Sequence, residues 1–559
     1  MHAENQPHAL AYVFLEEGKN SQELSYKSLD LSARRIAVEL NFSNESSNVL
    51  LIFPQGLEFI QAFLGCVYAG FPAVPLSMPR AKQSLEVLEK VALNCNAKVV
   101  LCTSATLALL TLRIEENSIL RHLKWIAVDQ LSLFEENLYL EPNRQNKSTS
   151  PLFLQYTSGS TGSPKGVIIS NNNLLHNLHY LASTFKHTRD SVIVSWLPQF
   201  HDMGLIGAIL QALYVGIPCV LLSPTSFVQK PYLWLKAIND YKGTISGGPN
   251  FAYDLCVSKI TKEQAATLDL SSWKIAWTGA ELVRDKTLIA FENRFCTSGF
   301  SKTTFMPVYG MAECTLAVTV NHFLSRFKKI DIDRTHLSEN PAINLMTETK
   351  TIVSCGHGLP DQEIRIVTAT DYQPLPELYI GEIYVKGPSV AQGYWNNSLA
   401  TKENFNQSIE QEKGFFKTGD LGFQYQGELY LVGRVKETMK INGRNIYPSD
   451  IEVAVWGAHN NLKQNGVAAF SIPTDTKEQL VVVCELKREN LRNFDIKAIQ
   501  KAVFQAIFDE YGIAIHDFLL IKTATLPVTT SGKIQRILCK KLYIDKKLNP
   551  IYSVRRQQL

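Results

Sequence analysis

Seven short runs of the chain are apolar almost throughout: NVLLIF (48–53), KVVLC (98–102), WIAV (125–128), LFLQY (152–156), VIVSWL (192–197), CVLLS (219–223) and KIAW (274–277). Continuous apolarity without alternation predicts parallel strands covered on both faces. Between these runs, SYKSLDLSARRIAVEL (25–40) and GLEFIQAFLGCVYAG (56–70) place apolar residues at helical spacing. Such an exchange of periods predicts doubly wound α/β layers. The most apolar stretch, Ile206 to Leu222, contains Gln211, Gly216 and Pro218, so it predicts a buried helix followed by a strand rather than a membrane span.

Farther along, EIRIVT, YIGEIYVKG and GELYLVG predict short alternating strands with glycine turns, as in a small antiparallel barrel or β-barrel-like sheet. After Gly433 a new unit begins, with strands VAAFSI, LVVVCELK and FLLIK separated by helical segments. The polar stretch EPNRQNKSTS (141–150) reads as an exposed connector. We therefore expect a large α/β N-terminal body over 1–433 and a small C-terminal α+β domain over 434–559. A chain of 559 residues is in any case too long for one compact core.

Composition narrows the function classes. The chain is 45% hydrophobic and 19% charged, with 56 basic and 52 acidic residues for a net charge of +4. This near balance argues against a nucleic-acid binder, which needs clustered positive charge. The 10 cysteines show neither CxxC nor Cys/His metal spacing and are expected to be reduced, buried small residues. MHAENQPHALAYVF has no basic stretch followed by an apolar one, so a cytoplasmic protein without a transmembrane segment is expected.

Tyr156–Val167 reads YTSGSTGSPKGV. Its glycines allow close backbone approach, its hydroxyls add donors, and Lys165 adds positive charge, all of which suit phosphate. The run does not match GxxxxGK[ST], because Pro164 precedes the lysine and Gly166 follows it. On composition alone an ordinary loop remains open.

Later segments change that balance. YTSGSTGSPKG is followed in order by FHDMGL (200–205), TGAE (278–281), VYGMAEC (308–314), GEIYVKGPSVAQGYW (381–395), FFKTGDLG (415–422), GRVKETMKINGRNIYPSDIE (433–452) and PVTTSGKIQR (527–536). In this order and spacing the chain resembles, over nearly its whole length, the adenylate-forming enzymes: acyl-CoA synthetases, luciferases and peptide-synthetase adenylation domains. The resemblance implies ATP and Mg²⁺ as cofactors and a mobile small domain. The reaction joins two anions, a carboxylate and a phosphate, so the site must supply positive charge.

By resemblance, Thr157, Ser158, Gly159, Ser160, Thr161, Gly162 and Lys165 hold the β- and γ-phosphates, and Thr161 with Glu313 places Mg²⁺. Tyr309 offers a flat face to adenine, beside Gly310, Met311 and Ala312, while Gly279, Ala280 and Glu281 meet the purine edge. Asp420 accepts from the ribose hydroxyls and Arg434 supplies a second ribose or phosphate contact. Lys436 falls where relatives swing the small domain, and Lys533 bridges the carboxylate and α-phosphate. Taken singly, each has a plainer reading: Glu313 as a helix-cap acid, Tyr309 as core, Asp420 as a turn residue, Lys533 as a solvated lysine.

FHDMGL and LDLSSWKIAWTGAEL look like the long-chain fatty acyl-AMP ligases within this superfamily, although Asp202 leaves an amino-acid substrate open. His201 either borders the acyl channel, as a catalytic-site residue, or is satisfied in a helix-start loop. Residues 315–380 form a longer connection than an acyl-CoA synthetase needs, with the excess about 321–356. An insert there resembles the ligases that restrain the small domain and hand the acyl group to an acyl carrier protein, or to a carrier domain of a polyketide or peptide synthase. Phe323, Leu324, Phe327 and Ile330 are expected to anchor it, beside Lys328 and Lys329. Leu282 departs from the proline common after GAE. Lys440 resembles the lysine of the coenzyme A step, which keeps a fatty acyl-CoA synthetase as the alternative. A catalytically inactive nucleotide- or acyl-binding paralogue is the alternative of another class, and the presence of Lys533, Glu313 and Asp420 counts against it.

Overall fold

The computed structural model describes residues 1–16, 20–42, 47–80, 83–131, 148–157, 164–333, 349–369, 371–442, 444–473, 478–529 and 532–555. Among them the predicted apolar runs do form strands, largely buried except for the edge strand Lys124–Ala127, where only Ile126 is buried. Val49–Phe53, Val99–Cys102 and Lys124–Ala127 pair in parallel within a six-stranded sheet. Ile193–Ser195, Cys219–Leu222 and Ile275–Thr278 belong to a nine-stranded sheet. The helix Leu57–Ala69 ends where Gly70 takes φ 79, a left-handed stop that glycine adopts without penalty. The predicted helix–strand over 206–222 appears with an unforeseen π-helical turn, Leu205–Leu210, before Gln211–Val215.

Several expectations are corrected. The strand expected over 192–197 stops at Ser195, before Pro198. Pro151–Thr157 is not purely parallel: it pairs with Lys165–Ser170 in antiparallel fashion. The strands expected to alternate do not: Gly381–Lys386 is buried at all but its last position, and Glu363–Val367 is half-buried over its first three residues and buried over its last two. All ten cysteines carry free thiols, but Cys296 is exposed. Most of the predicted connector, 141–147, lies outside the described residues.

The five-stranded sheet contains the 14-residue strand Glu412–Tyr425, which returns as Glu428–Arg434. The reversal uses Gln426 and Gly427 at φ 51 and 75, the left-handed pair that suits a tight hairpin. That turn and a bulge between Leu421 and Gly422 together set the register in which Asp420 faces Arg434.

Beyond residue 434 a separate core forms, with Met439, Ile451, Val455, Val482, Ile499, Val503 and Phe518 among its buried members. It covers the four-stranded sheet Leu462–Pro473, Glu478–Leu486, Ile515–Ile521 and Pro550–Arg555.

Within the expected insert, Lys329–Asp333 and Thr349–Val353 pair antiparallel. Phe327 is buried edge-on to Phe305, and Phe323 and Ile330 pack as anticipated. Leu324 does not: it is 45% exposed at φ 53, where the chain turns away from the core. Ile332 and Ile352 join Phe423, Tyr430 and Val432 around Tyr447, which comes from the C-terminal unit. Lys328 and Lys329 pair with Glu428 and Asp285 of the large body, while Lys350 pairs with Asp450 of the small unit at 2.7 Å.

Candidate active site

The site lies at the carboxyl ends of parallel strands, where successive loops leave the sheet together. Ile193–Ser195 leads to His201 and Asp202, Ile245–Gly247 to Phe251 and Asp254, Ile275–Thr278 to Ala280 and Glu281, and Phe305–Gly310 to Glu313. These loops border a cavity of about 2030 Å³ that is closed from the other side by Lys533 and neighbouring residues of the C-terminal unit.

Two glycines of the predicted nucleotide contacts are dictated by close approach. A Cβ on Gly279 would stand 2.6 Å from the Val308 carbonyl oxygen, and one on Gly310 would stand 1.8 Å from that of Leu316. Ala280 is held at φ 70, a left-handed conformation costly for a side chain and concentrated at functional sites. Met311 and Ala312 follow on the same wall, and Glu281 is exposed at the rim.

Asp420 is buried in strand Glu412–Tyr425, which removes its reading as a turn residue. One carboxylate oxygen accepts from the Arg434 Nε at 2.8 Å, the other from the Tyr309 hydroxyl at 2.8 Å. Tyr309 is thus both buried and committed to the predicted ribose acid.

Glu313 sits in the short 3-10 helix Ala312–Cys314 and accepts from the Tyr394 hydroxyl at 2.8 Å. Burial pushes its carboxyl above the ordinary value, against the pull of Tyr394 and Arg434. The Lys165 ammonium lies 4.9 Å from the centre of the same Tyr394 ring. Thr157 and Lys165 pair as the two stems of the glycine-rich loop. Ser158, Gly159, Ser160, Thr161 and Gly162 lie outside the described residues.

His201 caps the short helix Asp202–Gly204, as the helix-start reading expects, and also lines the cavity. Its Nδ1 lies 2.5 Å from Asp202. Burial pushes the Asp202 carboxyl up, but His201 and then Lys533 hold it below its usual range.

Lys533 is carried on a loop tied by the Thr529 amide to the Lys533 carbonyl at 2.7 Å and by the Lys533 amide to the Thr529 hydroxyl at 3.0 Å. Burial, then Arg434, lowers its pKa, while Asp202, Glu281 and Asp420 act in the opposite direction. The ammonium therefore stands among groups contributed by three separate segments of the large body.

Sequence reasoning missed three contributors. Tyr394 lies in the quoted QGYW and is the hydrogen-bond partner of Glu313. Asp202 was weighed only for substrate choice. Arg284 bonds Asp254 at 2.8 Å and Asn465 of the C-terminal unit at 3.0 Å, and no local pattern marks it. Lys436 lies exposed at the cavity edge, whereas Lys440 is the exposed residue between buried Met439 and Ile441 on strand Met439–Ile441, its amide donating to Glu478.

A single Glu, with phosphate oxygens and water, meets the needs of Mg²⁺, which seldom takes an all-protein cage. Among the described residues no cluster of three or more His, Cys, Asp or Glu forms a metal site of its own.

Residues 1–395 match the model of the AMP-binding enzyme family, and residues 436–553 match that of the Disco-interacting protein 2-like AMP domain. The chain is 38% identical over 552 residues to the medium-chain-fatty-acid–[acyl-carrier-protein] ligase JamA of Moorena producens, covering 96% of this chain and 93% of that protein. It is 32% identical over 567 residues to the long-chain-fatty-acid–AMP ligase FadD26 of Mycobacterium marinum, covering 97% and 95%. Among solved structures, the fatty acyl-adenylate ligase of Legionella pneumophila in complex with acyl adenylate and pyrophosphate is similar at a TM-score of 0.76. That match has 36% identity and covers 100% of this chain and 97% of that one.

Proposed function

The chain belongs to the AMP-binding enzymes, and from that premise we propose that it activates a medium- or long-chain fatty acid as its acyl-adenylate. The acyl group then passes to the phosphopantetheine thiol of an acyl carrier protein, free or as a carrier domain of a polyketide or peptide synthase. The observation that carries this reading is the convergence of Lys533 with Asp202, Asp420 and Arg434 on one cavity. Leu181, Phe185, Met203, Trp277 and Leu316 give that cavity an apolar side. At about 0.8 kcal/mol per buried CH₂, a ten-methylene tail contributes roughly 8 kcal/mol there before ordering costs.

In this mechanism a carboxylate oxygen of the fatty acid bonds to the α-phosphorus, and the bond to the bridging oxygen breaks, releasing pyrophosphate. Asp420 and Arg434 orient the ribose, and Tyr309 fixes Asp420. Thr157, Lys165 and the intervening loop hold the phosphates. Lys533 stabilises the negative charge that builds between carboxylate and phosphorus. Glu313 and Thr161 would hold Mg²⁺, which neutralises phosphate charge when bound. In the second step the thiol sulfur attacks the acyl carbon, AMP leaves with the electron pair, and the thiol proton passes to solvent.

We place the division between the two units at Gly433–Arg434 and the restraining insert within about 321–356. Support comes from Tyr447 packing against Ile332 and Ile352, and from the Lys350–Asp450 pair. A cytoplasmic location fits the ten free thiols. Among the described residues no helix is long and apolar enough to cross a membrane.

The test supplies ATP, Mg²⁺ and a ladder of fatty acids, with either coenzyme A or an acyl carrier protein, and reads products by mass spectrometry. Acyl-AMP, pyrophosphate and acyl-carrier are expected. ADP and phosphate would overturn the reading, and efficient acyl-CoA formation would favour the synthetase alternative that Lys440 keeps open.

A further inference from the structure

The helix Asn250–Lys259 of the large body carries two groups that reach the C-terminal unit. Phe251 lies beside the loop of Lys533, for a Cβ on Gly532 would stand 3.6 Å from its Cε1. About one turn on, Asp254 accepts from the Arg284 Nη2 at 2.8 Å and, on its other oxygen, from the Thr287 hydroxyl at 2.9 Å. The Arg284 backbone is anchored as well, its amide donating to the buried Asn250 side chain at 3.0 Å.

These ties leave Nη1 directed across the boundary, where it donates to the Asn465 side-chain oxygen at 3.0 Å. The guanidinium also lies 5.7 Å from the centre of the Trp456 ring, on the helix Pro448–Ala458. Asn465 stands at φ 56, where the pairing of Leu462–Pro473 with Glu478–Leu486 shifts between Leu462 and Val467. Such an irregularity re-aims a side chain, and asparagine tolerates left-handed backbone. Phe251, Asp254 and Arg284 precede the division at Gly433–Arg434, whereas Trp456, Asn465 and Gly532 follow it. A turn of the C-terminal unit therefore parts each of these contacts. It strands no charge, because Arg284 keeps Asp254 and releases only a neutral amide and a ring.

We propose that Arg284 is a positioning residue for Lys533: held by Asp254, it seats the C-terminal unit through Asn465 and Trp456 at the angle that delivers the lysine. The inference rests on the proposed function, in which Lys533 serves adenylation and the unit turns away for thiol transfer. Phe251 beside Gly532 gives the same unit a second point of seating. Loosening the Arg284 contact accordingly hinders adenylation and spares transfer.

The experiment uses the full chain and a 2 × 2 set: parent, Asn465→Gly, Lys533→Ala and the double variant. Glycine at 465 removes the amide, accepts the left-handed backbone without penalty, and leaves the Asp254–Arg284 pair intact. Pyrophosphate release from ATP and a fatty acid gives kcat and KM, and consumption of added acyl-adenylate by pantetheine reads the second step. Asn465→Gly is expected to lower the adenylation kcat about fivefold, with the KM for ATP within about twofold, because a misplaced group costs rate more than binding. Transfer from added acyl-adenylate should not slow, and in the Lys533→Ala background Asn465→Gly should add less than about twofold. Arg284→Lys, which keeps a charge for Asp254 but loses the fork, should slow adenylation in the same selective way, with Asn465→Gly adding less than about twofold to it.

Parental adenylation by Asn465→Gly, equal slowing of both steps, or a full further loss in the Lys533→Ala background would each remove the role of Arg284 alone. A parent that releases no pyrophosphate would instead overturn the proposed function, and an unchanged Lys533→Ala protein the role of the lysine, each taking the seating with it.

Discussion

The proposed nucleotide side of the cavity and the lysine side are held in different ways. Asp420, Arg434 and Tyr309 sit on strands, Glu313 on the turn that follows one, and each is hydrogen-bonded in place. Lys533 stands on a loop closed on itself through Thr529, and it meets the others through charge across the cavity. Groups that grip ATP are useful in every state of the enzyme and can be built into the sheet. A group that acts on charge arising only during reaction can ride on a separate unit, since its absence costs rate but little binding.

The largest expected effect tests this contrast directly. Lys533→Ala should lower adenylation by roughly 10²–10³-fold while the Kd for ATP, measured by calorimetry, changes by a few-fold at most. Parallel losses in rate and affinity would place the lysine with the ground-state groups and erase the distinction. Asp420→Ala should show the converse, weakening ATP binding by about 1.5–3 kcal/mol, or roughly 10–150-fold, with a smaller change in kcat. A variant that binds ATP normally but turns over slowly would contradict the assignment.

A smaller effect concerns what keeps the two sides together. Lys350→Ala breaks the pair with Asp450 and the contact of the Lys350 ammonium with the Tyr447 ring, 5.2 Å from its centre. It should raise acyl-CoA formation a few-fold, with adenylation nearly unchanged, because such partly exposed pairs contribute on the order of 1 kcal/mol. No gain in coenzyme A transfer would deny the insert its restraining role.

The smallest is a pH shift. Burial, ahead of Arg434, holds Lys533 below the ordinary lysine value of 10.5. The protonated form is therefore lost, and kcat/KM for adenylation falls, at a lower pH than free lysine would give. Arg434→Gln removes one lowering influence, so this alkaline limb should move up by a fraction of a pH unit. A downward move would show that the limb belongs to another group.

The parallel core was legible because strands covered on both faces are apolar at every position, as in Val49–Phe53. Ala73–Ser77 was not, since Pro75 argues against an interior strand, nor was Pro550–Arg555, whose half-exposed residues carry little pattern. Asp420 and Arg434 were recognisable as separate motifs, but their opposition depends on a hairpin register set by Gln426 and Gly427 and shifted by the bulge between Leu421 and Gly422. Arg284 and Asn465 meet across 181 positions of sequence, a distance over which no periodicity speaks. Leu324 shows the limit of composition, for an apolar residue in an otherwise anchored segment can still point outward at a turn.

Tyr447 also bears on timing. Its ring is 2% exposed among Ile332, Ile352, Phe423, Tyr430 and Val432. Withdrawing such a ring costs about 1.5–3 kcal/mol, which alone would leave roughly one molecule in ten to one in a hundred and fifty with the C-terminal unit turned away. A thiol acceptor that engages only the turned form meets that small fraction and binds correspondingly more weakly. On the proposed gating, the reactive mixed anhydride would wait behind a closed door in that interval, and a Tyr447→Ala protein should shorten the wait according to how firmly that one aromatic side chain is seated.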